Sequence, residues 1–292
     1  MAKIAVQKHG PRKVMIASFT RAAAHQIASR DTGVAPEMIG TLHSHCFHAL
    51  GRPKIAEGEA ALWNERVRKK SQPRDWIMTE EKGDEDDPWR ESVRGKTPGD
   101  HMLESLNRCR AVMQPEPDRP RHVRAFSSAW EEWKQEDGLS DFTDLLEDAL
   151  ELVPAAPGEP EVIIADEVQD WSALEFKLFR SWISGVDYAM LAGDPYQTVY
   201  SWKGADPRHF FEPAIPEKDW RTLPKSYRVP RSVRDFAVDW ISRHEDYRPV
   251  DYAPRDTSPE SGVIAEGSVV HRAGIRFGNP APLVAAVKDA LG

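Results

Sequence analysis

Two carboxylates stand side by side at the end of an apolar run in Glu161-Val-Ile-Ile-Ala-Asp-Glu-Val-Gln-Asp170. A carboxylate at the tip of a buried strand can hold magnesium through its water shell. A neighbouring carboxylate can orient and polarise an attacking water, and phosphoryl transfer needs both, together with positive charge on the γ-phosphate. On that chemistry Asp166 is the metal carboxylate and Glu167 the catalytic base. The plainer alternative is that the acidic pair caps a helix starting at residue 171, because acidic side chains stabilise helix N-termini. Further along, a second apolar run, Tyr188-Ala-Met-Leu-Ala192, ends in the polar and aromatic cluster Gly193-Asp-Pro-Tyr-Gln-Thr-Val-Tyr-Ser-Trp-Lys-Gly-Ala205.

Both clusters need strands to carry them, and the pattern around them supplies strands and helices in alternation. Lys13-Val-Met-Ile-Ala-Ser-Phe19 reads as a buried strand and Thr20 to Arg30 as an alanine-rich helix. Glu37 to Thr41 reads as a short strand, with Ser44 capping a helix that runs to about Leu50. The pattern returns with a helix over Asp141–Leu150, a strand at Val162–Ala165, and a helix from Ser172 with Leu174, Leu178, Phe179 and Trp182 on one face. Such alternation predicts a doubly wound parallel sheet whose ligands bind at the carboxyl ends of its strands. Between Pro53 and Ser140 the sequence turns Trp-rich and charge-rich, broken by prolines and glycines, as expected of an inserted helical subdomain. Within it, Phe126, Trp130 and Trp133 are expected in a core. The basic run Arg66-Val-Arg-Lys-Lys70 is expected on a solvated helix face, or alternatively on a nucleic-acid-facing side. After Pro216 the segment Leu223–Ala237 suggests a further strand and helix, followed by a strand near Gly262–Ile264 and a last helix at Leu283–Leu291.

Composition narrows the classes. The 292 residues carry a net charge of -8, which excludes a protein whose whole surface attracts DNA phosphates while leaving room for a local groove. No apolar run approaches the roughly 20 residues of a membrane helix, and the first residues lack a signal-peptide pattern. The cytosol (a cytoplasmic protein of a bacterium or of a virus infecting one) is the expected compartment. Cys46 and Cys109 are too few for a disulfide framework and are expected as reduced thiols.

The motifs together resemble those of the UvrD/Rep-like superfamily 1 DNA helicases. Asp166-Glu-Val-Gln-Asp170 is similar to their DExQD box, and Gly193 to Ala205 resembles their motif III nearly position for position. Ser18-Phe-Thr-Arg-Ala-Ala-Ala24 resembles motif Ia, Gly40-Thr-Leu-His-Ser44 the following strand-binding motif, and Ser226-Tyr-Arg228 motif IV. Asp141-Phe-Thr-Asp-Leu-Leu146 is similar to the helix by which the family returns from its inserted subdomain. The resemblance implies a RecA-like P-loop NTPase-type α/β fold: motor domain 1A over 1–52 and 141–215, helical subdomain 1B over 53–140, and a partial second motor domain 2A over 216–292. It implies ATP and Mg2+ as cofactors, single-stranded DNA and duplex junctions as partners, 3' to 5' movement, and roles in DNA repair and replication. It also implies that Gln197 senses the γ-phosphate, that Arg228 is an arginine finger, and that Tyr227 stacks on adenine. Phe19, Thr41, His43, Tyr200 and Trp202 fall at DNA-contacting positions, where an aromatic face stacks on any base. For Phe19 and Trp202 the alternative is a place in the core.

Two departures qualify this. No G-x-x-x-x-G-K-[ST] phosphate loop occurs in the 292 residues; the triplet Gly95-Lys96-Thr97 has Arg90 where the first glycine belongs. Nor is there a counterpart of motifs V and VI. The chain reads as the middle of a helicase, and the isolated polypeptide is expected to hydrolyse little or no ATP. The alternative is a non-catalytic remnant or split-gene half that binds DNA or a complementary helicase fragment. Finally, His43-Ser-His-Cys-Phe-His48 offers four potential zinc ligands, but a helix points them in divergent directions, and structural zinc sites draw ligand pairs from separate segments.

Overall fold

The computed structural model describes residues 1–80, 96–212, 214–243 and 252–255. These fall into two compact units, the first ending at residue 212 and the second beginning at 214.

The first unit is built on four parallel strands, β1 (Val14–Ser18), β2 (Ile39–Thr41), β3 (Val162–Asp166) and β4 (Tyr188–Leu191), in the order β2-β1-β3-β4. Every residue of β1 is buried, as are Val162 to Ala165 of β3, the near-continuous apolar run of a strand covered on both faces. The chain leaves β1 for β2 on one side and returns to β3 on the other, so the strand order reverses between β1 and β3. In open α/β sheets the crevice at the carboxyl ends of such strands is the ligand site. Register sets Ser18 beside both Thr41 and Asp166 along that edge.

Helix α1 (Ala2–His9) precedes β1, and α2 (Arg21–Ala28) and α3 (Leu42–Ala49) follow in the pattern expected. The cap of α3 differs from the sequence reading. Thr41, in extended conformation, accepts a hydrogen bond from the Ser44 amide at 3.1 Å, so the helix begins at Leu42 and Ser44 lies inside it. Both residues are good capping types; the short strand β2 ends at Thr41 and decides between them.

Helices α4 (Ala60–Lys69), α5 (Pro98–Ala111) and α6 (Arg121–Asp137) enclose a second hydrophobic core. Trp63, Phe126, Trp130 and Trp133 are buried there, with the Trp63 and Trp130 rings 5.0 Å apart and those of Trp130 and Trp133 4.9 Å apart. The basic run is solvated at Arg68 and Lys69, while Arg66 and Lys70 are paired across to α6. Arg66 pairs with Glu132 and Glu136 of α6, and Lys70 reaches the same two carboxylates at 3.1 and 3.2 Å. Thr97, from the triplet set aside above, caps α5 in a capping box with Asp100. The acidic stretch of the sequence, Glu81-Lys-Gly-Asp-Glu-Asp-Asp87, lies outside the described residues.

An ionic network fastens this helical body to the sheet side of the unit. Asp141 caps α7 (Phe142–Leu152), which packs on α3 and on α8 (Ala173–Ile183). Its fully buried carboxylate accepts from Arg110 of α5 at 2.8 and 3.0 Å, from Lys134 of α6 at 2.7 Å and from the Trp130 indole at 2.9 Å. Arg110 also reaches Asp144 and Glu147, both at 2.6 Å. A parallel bridge between Ile55 and Ser140 joins the segments entering and leaving the helical body.

In the second unit α9 (Arg231–Ile241) forms as expected. The strand expected near Leu223 is reduced to a single bridge between Lys225 and Ala253; Pro224 and Pro230 remove amide donors on either side. The strand and helix expected at Gly262–Ile264 and Leu283–Leu291 lie outside the described residues.

Candidate functional site

At the end of β3 the backbone turns sharply. Glu167 takes up a left-handed conformation, φ 56° and ψ 38°, and a single 3-10 turn over Val168–Asp170 follows. Helix α8 is then capped by Ser172, whose hydroxyl accepts from the Glu175 amide while the Glu175 side chain bonds back to the Ser172 amide. The capping alternative for the acidic pair therefore does not hold: the cap is complete without Asp166 or Glu167.

Asp166 is half-buried at the strand's tip, and burial, then the adjacent charge of Glu167, push its carboxyl above the usual range. Ser18, in register with Asp166 and therefore on the same face of the sheet, has a buried hydroxyl without a hydrogen-bond partner. Two neighbouring carboxylates beside an unsatisfied hydroxyl form a hard-oxygen donor set, which suits a hydrated divalent cation such as Mg2+. Phosphate groups find no comparable fit, because the chain contains no glycine-rich loop of amide donors.

The next residues tie this corner to the loop after β4. Gln169 is 1% exposed. Its Nε2 donates to Glu167 Oε2 at 2.7 Å, and its Oε1 accepts from the Asp194 amide at 3.1 Å. Thr198 Oγ1 donates to the Gln169 carbonyl, and Asp170 Oδ1 accepts from the Val199 amide at 3.2 Å. Burial pushes the Asp170 carboxyl up as well, with Glu167 adding to the effect. Asp194 caps the turn Pro195–Gln197 through the Tyr196 amide and holds the exposed Gln197 through Nε2 at 2.7 Å.

The same loop carries the aromatic residues. Tyr200 packs against Phe19 with ring centroids 4.9 Å apart. Trp202 is 50% exposed, so the core alternative fails for it, and Lys203 and Lys96 lie 4.9 and 5.8 Å from its ring centre. Phe19 is half-buried against the sheet core and in contact with Tyr200. Gly204, at φ 101°, brings the loop close to Ala111 and Val112 at the end of α5, and Ala205 bridges to Ser172.

His43 sits at the edge of this surface, Nδ1 3.9 Å from Glu175 Oε1, and its imidazole is pushed down by burial against the pull of Glu175. The cluster around it does not converge. His45 is turned to the Ile16 carbonyl, Cys46 is buried in the core with its thiol pushed up to about 12 by burial, and His48 accepts from Arg52. Among the described residues, the groups close enough to share a metal include none of the four. Tyr227 and Arg228 belong to the second unit, where Tyr227 is 79% exposed with Lys225 5.6 Å from its ring centre, and the Arg228 amide donates to Ser226 Oγ.

Residues 1–214 match the UvrD/REP helicase N-terminal domain. The chain belongs to that family. Among curated relatives, the ATP-dependent DNA helicase PcrA of Staphylococcus aureus is 26% identical over 118 residues, 37% of this chain and 16% of the relative. The putative ATP-dependent DNA helicase YjcD of Bacillus subtilis is 22% identical over 286 residues, 87% of this chain and 37% of the relative. The RecBCD enzyme subunit RecB of Mycolicibacterium smegmatis is 29% identical over 134 residues, 41% of this chain and 12% of the relative. The chain thus spans well under half the length of these helicases. No helix among the described residues of this UvrD/REP domain is long and apolar enough to cross a membrane.

Sequence reading assigned roles to Asp166, Glu167 and Gln197 but none to Gln169, Asp170 or Asp194; Gln169 holds the Glu167 carboxylate and Asp194 holds Gln197. The only local signal was their position inside the same two motif blocks.

Proposed function

We propose that this chain is part of an ATP-dependent motor that moves along single-stranded DNA and opens duplex junctions. The observation that carries the reading is the hydrogen-bonded path from the Glu167 carboxylate just after β3, through Gln169 and Asp170, to the loop presenting Gln197, Tyr200 and Trp202. A nucleotide-driven motor needs such a link between the reacting end and the strand-gripping surface. In this reading 1–52 and 141–215 form the motor domain, 53–140 its helical insertion, and 216–292 the start of a second motor domain.

Bound Mg2+ would neutralise charge on the transferring phosphoryl group. Asp166, with the Ser18 hydroxyl beside it, would hold its water shell, and Glu167 would orient the attacking water and take its proton. Gln197 would respond to the γ-phosphate. Arg228 and Tyr227, which lie in the second unit, are proposed as an arginine finger and an adenine-stacking ring. Phe19, Thr41, His43, Tyr200 and Trp202 would contact the DNA strand through ring faces and backbone-directed hydrogen bonds, without reading base sequence.

The phosphate loop must come from outside these 292 residues. β4 is an edge strand, with Tyr188 exposed and the rest half-buried; a parallel strand added there would deliver its following loop to the same carboxyl end as Gly193. Loss of a single preorganised donor can cost about 10²- to 10³-fold in rate, so the isolated chain is expected to be nearly silent as an ATPase. The same missing loop favours a second reading, a non-catalytic half that binds DNA or a complementary helicase fragment. The deciding experiment measures oligo-dT binding, ATP binding and DNA-stimulated hydrolysis by the purified chain beside Asp166→Ala. DNA binding with no turnover is the expected result. Turnover abolished by Asp166→Ala would make the chain a motor in its own right, and failure to bind oligo-dT would sink the reading.

A further inference from the structure

Gln169 has the attributes of a part that fixes geometry. It is almost completely buried, and its amide is used at both ends by groups of opposite character: a carboxylate oxygen that can only accept, and a backbone amide that can only donate. Those partners fix the orientation of the amide plane, since reversing it would set Nε2 against the Asp194 amide and Oε1 against Glu167. The approach is close. A Cβ on Gly193 would lie 2.6 Å from Gln169 Oε1 and 3.2 Å from the Gln169 backbone nitrogen, so the loop fits against Gln169 only with glycine at 193. On the other side, Glu167 is held in a left-handed conformation that disfavours residues with a side chain, and its carboxylate is tied down by the Gln169 amide.

We infer that Gln169 is a positioning residue that joins the Glu167 carboxylate to the 193–200 loop as one rigid unit, so that the water-orienting carboxylate and the strand-contacting residues move together. This rests on the functional reading above for what the loop touches, but the joint itself is a property of the chain alone. The Asp194 side chain extends it to Gln197, and Asp170 extends it to Val199 beside Tyr200.

The test exploits the fact that glutamate has the shape of glutamine without its permanent N–H donor. In Gln169→Glu the new carboxyl faces Glu167, Asp170 and Asp194. When ionised it repels Glu167; when protonated its O–H can donate to Glu167 as the amide did. Hydrogen–deuterium exchange of the purified chain, corrected for intrinsic rates, would compare wild type, Gln169→Glu and Gln169→Leu at pH 8.5 and pH 5.5. The expected result is exchange about tenfold faster in the 193–200 segment for both variants at pH 8.5, on the order of one lost buried hydrogen bond. Protection should return at pH 5.5 in Gln169→Glu alone, with oligo-dT affinity by fluorescence anisotropy following the same order.

Wild-type protection in Gln169→Leu at both pH values would overturn the inference, leaving Gln169 as a space-filling residue. So would loss of protection reaching the β1 and β3 peptides in both variants, which would make it a general core residue. If the exchange pattern holds while wild type fails to bind oligo-dT, the functional reading falls and the joint stands.

Discussion

Replacing Glu57 by glutamine should stabilise the protein in a manner that depends on pH. Glu57 lies in the 3-10 turn Ala56–Glu59 that enters the helical body, next to the bridge between Ile55 and Ser140. Its Oε1 accepts from the Phe142 amide at 3.1 Å, while Oε2 is buried without a partner. Burial, then the charge of Asp141, raise the Glu57 carboxyl from 4.5 to about 7, against the attraction of Lys134. The folded state therefore keeps a proton that the unfolded chain releases above about pH 4.5. Stability from this group is fully present below that pH and is lost as pH rises through about 7. Each pH unit between the two values is worth about 1.4 kcal/mol, so wild type forfeits about 3 kcal/mol by pH 8. Glutamine keeps the acceptor for Phe142 and carries no charge. The difference in unfolding free energy between Glu57→Gln and wild type should grow by about 2 to 3 kcal/mol between pH 5 and pH 8. Urea denaturation followed by tryptophan fluorescence reads it directly, as the shift in midpoint at constant slope. A variant that tracks wild type to within about 0.5 kcal/mol across that range would refute the reasoning, by showing that water reaches the carboxyl or that it ionises with Lys134 as partner.

Two further outcomes are expected. Arg110→Met should cost about 3 to 5 kcal/mol, because it leaves Asp141, Asp144 and Glu147 with Lys134 as the remaining buried cation; a loss below about 1 kcal/mol in the same urea assay would mean that the network contributes little. Trp202→Ala should weaken oligo-dT binding by about 1 to 3 kcal/mol, roughly five- to 150-fold, with urea stability unchanged because the ring is half-exposed. Unchanged affinity in an anisotropy titration would remove Trp202 from the strand-contacting surface.

Much of the first unit was legible from local pattern. Continuous apolar runs marked β1 and β3 because both faces of a parallel sheet are covered, and the residues that end those runs had to appear at the carboxyl edge. That placed Asp166, and the loop beginning at Gly193, at the same end of one sheet before any contact was known. Trp130 and Trp133 were readable as core because they lie on one face of a strongly patterned helix. The limits were equally local. Thr41 and Ser44 cap helices almost equally well, and only the end of β2 selects between them. Arg66 and Lys70 read as a basic face until the acidic side of α6 is packed against them.

By itself, then, the sequence determined the alternation of strands and helices, the carboxylates that end β3, and the family to which the chain belongs. The first two follow from backbone periodicity and from residue types a few positions apart, and the family from the resemblance of its ordered motifs. Tertiary structure decided which groups act on one another. Gln169 finds the Asp194 amide 25 residues away, Arg110 finds Asp141 across 31, and Glu57 acquires its raised proton affinity from burial first and then from Asp141. Hydrogen bonding, desolvation and Coulomb attraction depend on distance in space, and that distance exists only after the two hydrophobic cores have brought the segments together.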